Sequence, residues 1–209
     1  MKLPPPRRWL APLLGLLVLA LLRPLRVTSE DMLPSLRPGD WVLWLPYPPW
    51  RAPQQGDVVL LSDPGDPERL VLRRLVAPSL SSLVVTAPGL EVQGQAWRWR
   101  EMHRGPDGVL YSEQDGWLVQ RADRPFSEPP RALSAPEGQW LVLADKRDGP
   151  PDSRQWGGVD PETFKGRVWL RMGPSDPWRG ALTLGQGDGP WLPPSKLEPP
   201  PTGPSSASP

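Results

Sequence analysis

Thr28-Ser29-Glu30-Asp31-Met32-Leu33-Pro34-Ser35-Leu36-Arg37-Pro38-Gly39-Asp40 divides the chain into two unlike parts. Upstream, Trp9 to Leu22 is apolar throughout. Downstream, short apolar runs alternate with turn residues, and the chain carries 33 prolines in 209 residues. So much proline disfavours long helices beyond the N-terminus, because proline lacks the backbone donor and clashes with the preceding turn. Short apolar runs between such breaks are the pattern of β-strands. The expected fold is therefore mostly β, with one N-terminal membrane helix.

Upstream, Trp9–Leu22 supplies 14 apolar residues. At a helical rise of about 1.5 Å per residue they span roughly 21 Å, against a hydrocarbon core of about 30 Å. The length suits a signal-peptide core. The exit argues instead for an uncleaved anchor. No small-residue cleavage site follows, and Arg23 and Arg26 can reach back to the headgroups while the bilayer thins locally. Residues 1–8 are read as a cytoplasmic N-terminus and residues 9–25 as a transmembrane anchor. Lys2, Arg7, Arg8 and the amino terminus outweigh Arg23 and Arg26. The positive-inside rule then puts the domain on the extracytoplasmic side of a cell (inner) membrane, as a single-pass protein.

Downstream, strands are expected over Asp40–Pro46, Gln55–Leu61 and Arg69–Ala77. The last two join through the Asp63–Pro67 turn as a hairpin. Trp41, Trp44, Tyr47 and Trp50 follow the membrane segment closely. They can form an interfacial aromatic patch, or half of them can pack the core. Residues 78–136 read as a smaller β insertion, with short strands at Ser82–Ala87, Ala96–Met102, Gly108–Ser112 and Trp117–Gln120. Arg124–Pro136 reads as a proline-punctuated loop. Gly138–Ala144 is an apolar, buried strand, Asp145–Gly158 is polar and turn-rich, and Phe164–Met172 is a last strand. The β domain thus covers residues 26–173. Residues 174–209, rich in Pro, Gly and Ser, read as a disordered tail.

Composition excludes several chemistries. A net charge of +1 offers no bulk attraction for nucleic acid. The absence of cysteine excludes disulfides, thiolate zinc sites and a cysteine nucleophile. The single histidine, His103, suits a surface or strand-end position better than a triad or metal cluster. No cofactor or metal is expected.

Four segments in order carry a resemblance. The opening stretch is similar to a Ser-Met-x-Pro-[Ser/Thr]-Leu box closed by Gly-Asp. Gln55-Gly-Asp-Val-Val-Leu-Leu61 is similar to an Arg-Gly-Asp-Val-Val box, and Val71-Leu-Arg-Arg-Leu-Val76 to a hydrophobic-Lys-Arg-hydrophobic box. Ala144-Asp-Lys-Arg-Asp-Gly-Pro-Pro-Asp-Ser-Arg-Gln-Trp-Gly157 is similar to Gly-Asp-Asn-x-x-x-Ser-x-Asp-Ser-Arg-x-x-Gly. Any one box is weak, but four in order behind an N-terminal anchor make a specific signal. Together they resemble the type I signal peptidase (leader peptidase-like) family. The resemblance implies a β-rich serine endopeptidase fold, with its site near the lipid surface, that cuts exported proteins after small residues.

In that family a serine attacks the scissile carbonyl and a neutral lysine takes its proton. Here the resemblance sets Asp31 at the serine position, Arg73 at the lysine position, and Pro150 at the serine that orients the lysine. The frame positions Met32, Pro34, Leu36, Gly39, Asp40, Arg74, Asp145, Asp152, Ser153 and Arg154 match. A guanidinium stays protonated and cannot act as a general base. An ionised aspartate has no proton to give up and attacks amides poorly. Opposite charges at the two positions instead favour a carboxylate–guanidinium pair. Rescue would fall to Ser29 and Lys146. In an extended stretch Ser29 and Asp31 would share a face, roughly 6–7 Å apart.

The expected role is that of a pseudopeptidase in protein export, binding exported preproteins or an active signal peptidase subunit. An extended chain can add to a sheet edge through its backbone, which does not require the nucleophile. One alternative is an active signal peptidase I-type hydrolase that processes signal peptides with non-standard residues. Another is a structural membrane protein whose Pro-rich tail recruits partners. Beyond these, membrane lipid is the only other partner expected.

Overall fold

The computed structural model describes residues 22–172, apart from 49, 87–88, 115 and 124–129. Residues 9–21 of the expected 9–25 anchor, and the expected tail over 174–209, lie outside the described residues. Among the described residues no helix is long and apolar enough to cross a membrane.

The described chain is mostly β. Its central element is an antiparallel six-stranded sheet in the order β1-β2-β13-β3-β4-β12. The strands are β1 Arg23–Arg26, β2 Trp41–Leu45, β3 Val58–Asp63, β4 Asp66–Ala77, β12 Leu141–Leu143 and β13 Phe164–Met172. The expected β3–β4 hairpin is present. Its turn is tight, with Asp63 paired across from Asp66 and the Gly65 amide donating to the Asp63 carboxylate at 2.9 Å.

The two-residue period of β3 and β4 builds a core on each face of this sheet. Val58, Leu60 and Leu72 pack with Val27, Met32, Leu36, Val42 and Val168. Val59, Leu61, Val71 and Leu75 pack with Val142 and Val159 on the other side. A strand covered on both faces reads as an unbroken apolar run, as Val58–Leu61 does. A third core joins the far ends of β4 and β12 to the 78–136 region through Val76, Ala77, Leu83, Leu90, Trp97 and Leu141.

The 78–136 region, expected as a smaller β insertion, holds two small sheets. One holds β8 Trp99–Gly105, β9 Gly108–Glu113 and β10 Trp117–Arg121 in the order β10-β9-β8. The other holds β5 Ser82–Val85, β6 Leu90–Val92, β7 Gln95–Ala96 and β11 Arg131–Ser134 in the order β11-β5-β6-β7. Several expectations need correction. Arg131–Ser134, expected to be loop, pairs with β5; it is an edge strand, which tolerates flanking prolines. Ala96–Met102 is broken because Trp97 turns inward, edge-on to Trp117 at 4.9 Å between centroids. The end of the segment read as anchor, from Arg23, already belongs to the sheet through its pairing with β2. The turn-rich segment contains one short helix, α1 Ser153–Trp156, closed at its start by a capping box between Asp152 and Gln155.

Candidate functional site

The opening stretch is the loop of the β1–β2 hairpin. Val27 N–H donates to Asp40 O and Gly39 N–H to Val27 O, both at 2.8 Å, directly beyond the Arg26–Trp41 pair. Inside this neck the chain winds into turns, with Leu33 N–H donating to Glu30 O and Leu36 N–H to Met32 O. The stretch is therefore not extended, and the shared face expected for Ser29 and Asp31 does not apply. Gly39 closes the loop at φ +95°, a left-handed conformation that favours glycine. Met32 and Leu36 plug the loop into the core. The buried Asp40 accepts from the Arg37 amide at 2.9 Å and pairs with Arg171 at 2.7 Å.

β4 delivers two consecutive arginines to opposite sides of the sheet. Arg73 lies across from Val59 and Arg74 across from Val58. Arg74 is bidentate on Asp145, at 2.8 and 2.6 Å, and also donates to Gly56 O and Ser35 Oγ. Both members of this pair are buried, and the Trp117 ring lies 5.4 Å from the guanidinium carbon.

Arg73 Nη1 donates to Asp31 Oδ2 at 2.9 Å, forming the ion pair expected between these two residues. The same guanidinium donates to Pro151 O from Nε at 2.9 Å and from Nη2 at 2.7 Å, and to Leu72 O from Nη1. The Trp156 ring covers it at 5.5 Å, within cation–π range. Burial pushes Arg73 below the ordinary guanidinium value, and Asp31 opposes that shift. Its side chain is 0% exposed, whereas Asp31 keeps 19% exposure. Pro150 cannot supply a hydroxyl, and the carbonyl after it, Pro151 O, takes two of the guanidinium's bonds. The cluster holds a guanidinium that makes four hydrogen bonds, to Pro151 O, Leu72 O and the Asp31 carboxylate, and among the described residues no alcohol or neutral amine bonds to either member.

The remaining frame residues hold this segment in place. Asp152 accepts from the Ala144 and Arg154 amides and from the Arg154 guanidinium. Ser153 Oγ accepts from the Val142 amide at 2.8 Å. Pro34 is half-buried, in the loop wall. The rescue residues are not brought together by a hydrogen bond. Lys146 Nζ instead pairs with Glu30, whose carboxyl is held below its ordinary value first by that hydrogen bond and then by the lysine's charge. The Lys146 amide does meet the site, donating to Asp31 O at 2.9 Å.

Glu30, Pro151 and Trp156 are the contacts that sequence reasoning missed, since a carbonyl and a ring face leave no motif. A buried group formed by Glu113 and Arg147, 2.7 Å apart, with Arg121 beside them, was missed as well. His103 is an exposed residue of β8. Of the four early aromatics, Trp41 and Trp50 are exposed. Trp44 packs under Arg23 and the core, and the Tyr47 hydroxyl donates to Asp57 at 3.0 Å.

Comparison with known proteins agrees with the family resemblance. The family model described as signal peptidase, peptidase S26, matches residues 9–172. The chain is 28% identical over 175 residues to a probable signal peptidase I-1 of Synechocystis sp., covering 78% of this chain and 80% of that protein. It is 26% identical over 158 residues to a signal peptidase I of Pseudomonas aeruginosa, covering 65% of this chain and 56% of that one. A signal peptidase I structure from Enterococcus faecalis aligns at a TM-score of 0.43 and 19% identity, over 56% of this chain and 97% of that one. The family-model match spans most of the chain, and the protein belongs to the signal peptidase S26 family.

Proposed function

We propose that this S26-family protein is a membrane-anchored, catalytically degenerate member that binds extended exported peptides without cutting them. An active peptidase subunit is the other partner this reading accommodates. The observation that carries the reading is the Arg73–Asp31 ion pair, 2.9 Å long and tied to Pro151 O. It fills the place where a nucleophile and its base would meet. The engagement of Lys146 by Glu30 counts against a rescued dyad with Ser29.

The same reading keeps residues 9–22 as a single membrane span and the β domain on the extracytoplasmic side. Pairing of Arg23 with Trp44 brings the chain in beside the β2–β3 loop, where Trp50 is 86% exposed. A tryptophan so placed supports lipid seating at the point of entry.

The test is a cleavage assay on a preprotein with an Ala-x-Ala site, using the full chain in detergent. The full chain is needed because β1 would be lost from a fragment beginning at Val27. The native protein is expected to leave the preprotein intact, and the triple variant Asp31→Ser, Arg73→Lys, Pro150→Ser to gain cleavage. Cleavage by the native protein that disappears on Ser29→Ala would establish the alternative, an active enzyme with non-standard residues.

A further inference from the structure

A cleft of about 620 Å³ opens beside the ion-paired site. One wall is the hairpin loop, with Glu30, Leu33, Pro34 and Arg37; the other is the turn between β8 and β9, with His103, Pro106 and Asp107. Its base is tied together by backbone. Gln120 N–H donates to Asp145 O, Arg147 N–H to Gln120 O, and Lys146 N–H to Asp31 O. Gln120 Nε2 also donates to Asp107 O at 2.7 Å, which fixes the far wall to the base. The cleft is thus built on the same segment that carries Asp31, and Glu30 is the residue immediately before it.

We propose that this cleft is a side-chain-reading peptide subsite, distinct in mode from strand addition, for a chain segment that bears both charge signs among apolar residues. The inference rests on the peptide-binding reading above. Three observations set the ligand class. Pro34, Pro38 and Pro106 line the cleft and offer no backbone donors, so a guest strand finds an incomplete ladder there. Recognition passes instead to side chains. The formal charges of Arg37 and Lys146 cancel those of Glu30 and Asp107, which disfavours polyanions and strongly basic tails alike. Among the described residues, the Arg37 guanidinium and the Asp107 carboxylate have no ion-pair partner, and they belong to the two different walls. A segment with an acidic and a basic residue completes both. The Glu30–Lys146 pair is solvent-exposed on both sides, at 61% and 31%, so a guest can displace it at little cost.

The test uses the full chain in detergent and three fluorescent peptides. One is a core peptide ending at each side of an Ala-x-Ala site; the others extend it by a mixed-charge segment at the N-terminal or the C-terminal end. One extended peptide is expected to bind about fivefold tighter than the core, the scale of one exposed charge contact. That gain disappears in Arg37→Glu and in Asp107→Lys, returns in part when both are combined, and leaves core binding unchanged throughout. Both residues are exposed, so the fold tolerates their replacement. Core binding with no gain from either extension overturns the subsite alone. An extension that gains affinity but keeps it in both variants overturns it as well. Failure of every peptide to bind overturns the function proposed above, and the subsite with it.

Discussion

Arg73 and Arg74 are neighbours on one strand, each holding a carboxylate, yet they do opposite work. Arg74 and Asp145 are both buried, joined by two parallel bonds, and enclosed by Gly56 O, Ser35 Oγ and Trp117. Arg73 is equally buried, but its partner Asp31 reaches toward solvent. A closed pair of this kind fixes the geometry of three segments and admits nothing. The half-open pair leaves a charged group at the surface. The difference teaches that a closed pair and a half-open pair can sit one residue apart, because a strand sends successive side chains to opposite faces.

The largest effect expected is at the closed pair. Arg74→Leu strands a fully buried Asp145 carboxylate and should cost about 3–5 kcal/mol, read as a fall in the denaturant midpoint. At the half-open pair, Asp31→Ala leaves Arg73 its bonds to Pro151 O and Leu72 O, so the expected loss is about 1–3 kcal/mol. Losses of equal size at the two pairs would break the comparison.

Another buried carboxylate, Asp57, sharpens it. Burial first, and then the Asp57 charge, raise the Tyr47 phenol above its ordinary 10.0. A raised folded-state value means that the associated stability is complete below pH 10 and is lost as pH rises further. Tyr47→Phe should cost about 1 kcal/mol at pH 8 and should show a shallower alkaline decline than the native protein. A parallel decline in both proteins would remove Tyr47 from the account. The smallest effect belongs to the open surface pair: Lys146→Gln should change stability by less than about 0.5 kcal/mol, because exposed ion pairs contribute little.

The sequence told a good deal about this site, for physical reasons. β3, β4 and β13 were legible because apolar runs bounded by Gly, Pro and Asp leave few alternatives. The Arg73–Asp31 pair was legible because two residues of opposite charge fall on positions that the resemblance places together. Arg131–Ser134 was not, since an edge strand with one modest apolar residue, Leu133, draws its order from a partner about 50 residues away in sequence, across the Leu133–Leu83 pair. The winding of residues 31–36 was hidden as well, because turns closed by backbone bonds leave little periodicity to read. The cleft was invisible for a related reason: its walls come from residues 30–38 and 103–110, far apart in sequence, and are joined through Gln120 and Lys146.

The neck of the β1–β2 hairpin has a mechanical meaning. The chain enters the domain at Arg23, the open end of a ladder whose closed end is the loop carrying Asp31. Tension arriving along the preceding residues first meets the Arg23–Trp44 pair. It must then part Pro24–Leu43 and Leu25–Val42 before reaching Arg26–Trp41 and the bonds between Val27, Gly39 and Asp40. The loop therefore sits at the far end of a fuse, and a pull on the N-terminal side is spent on β1 before it can distort the ion pair.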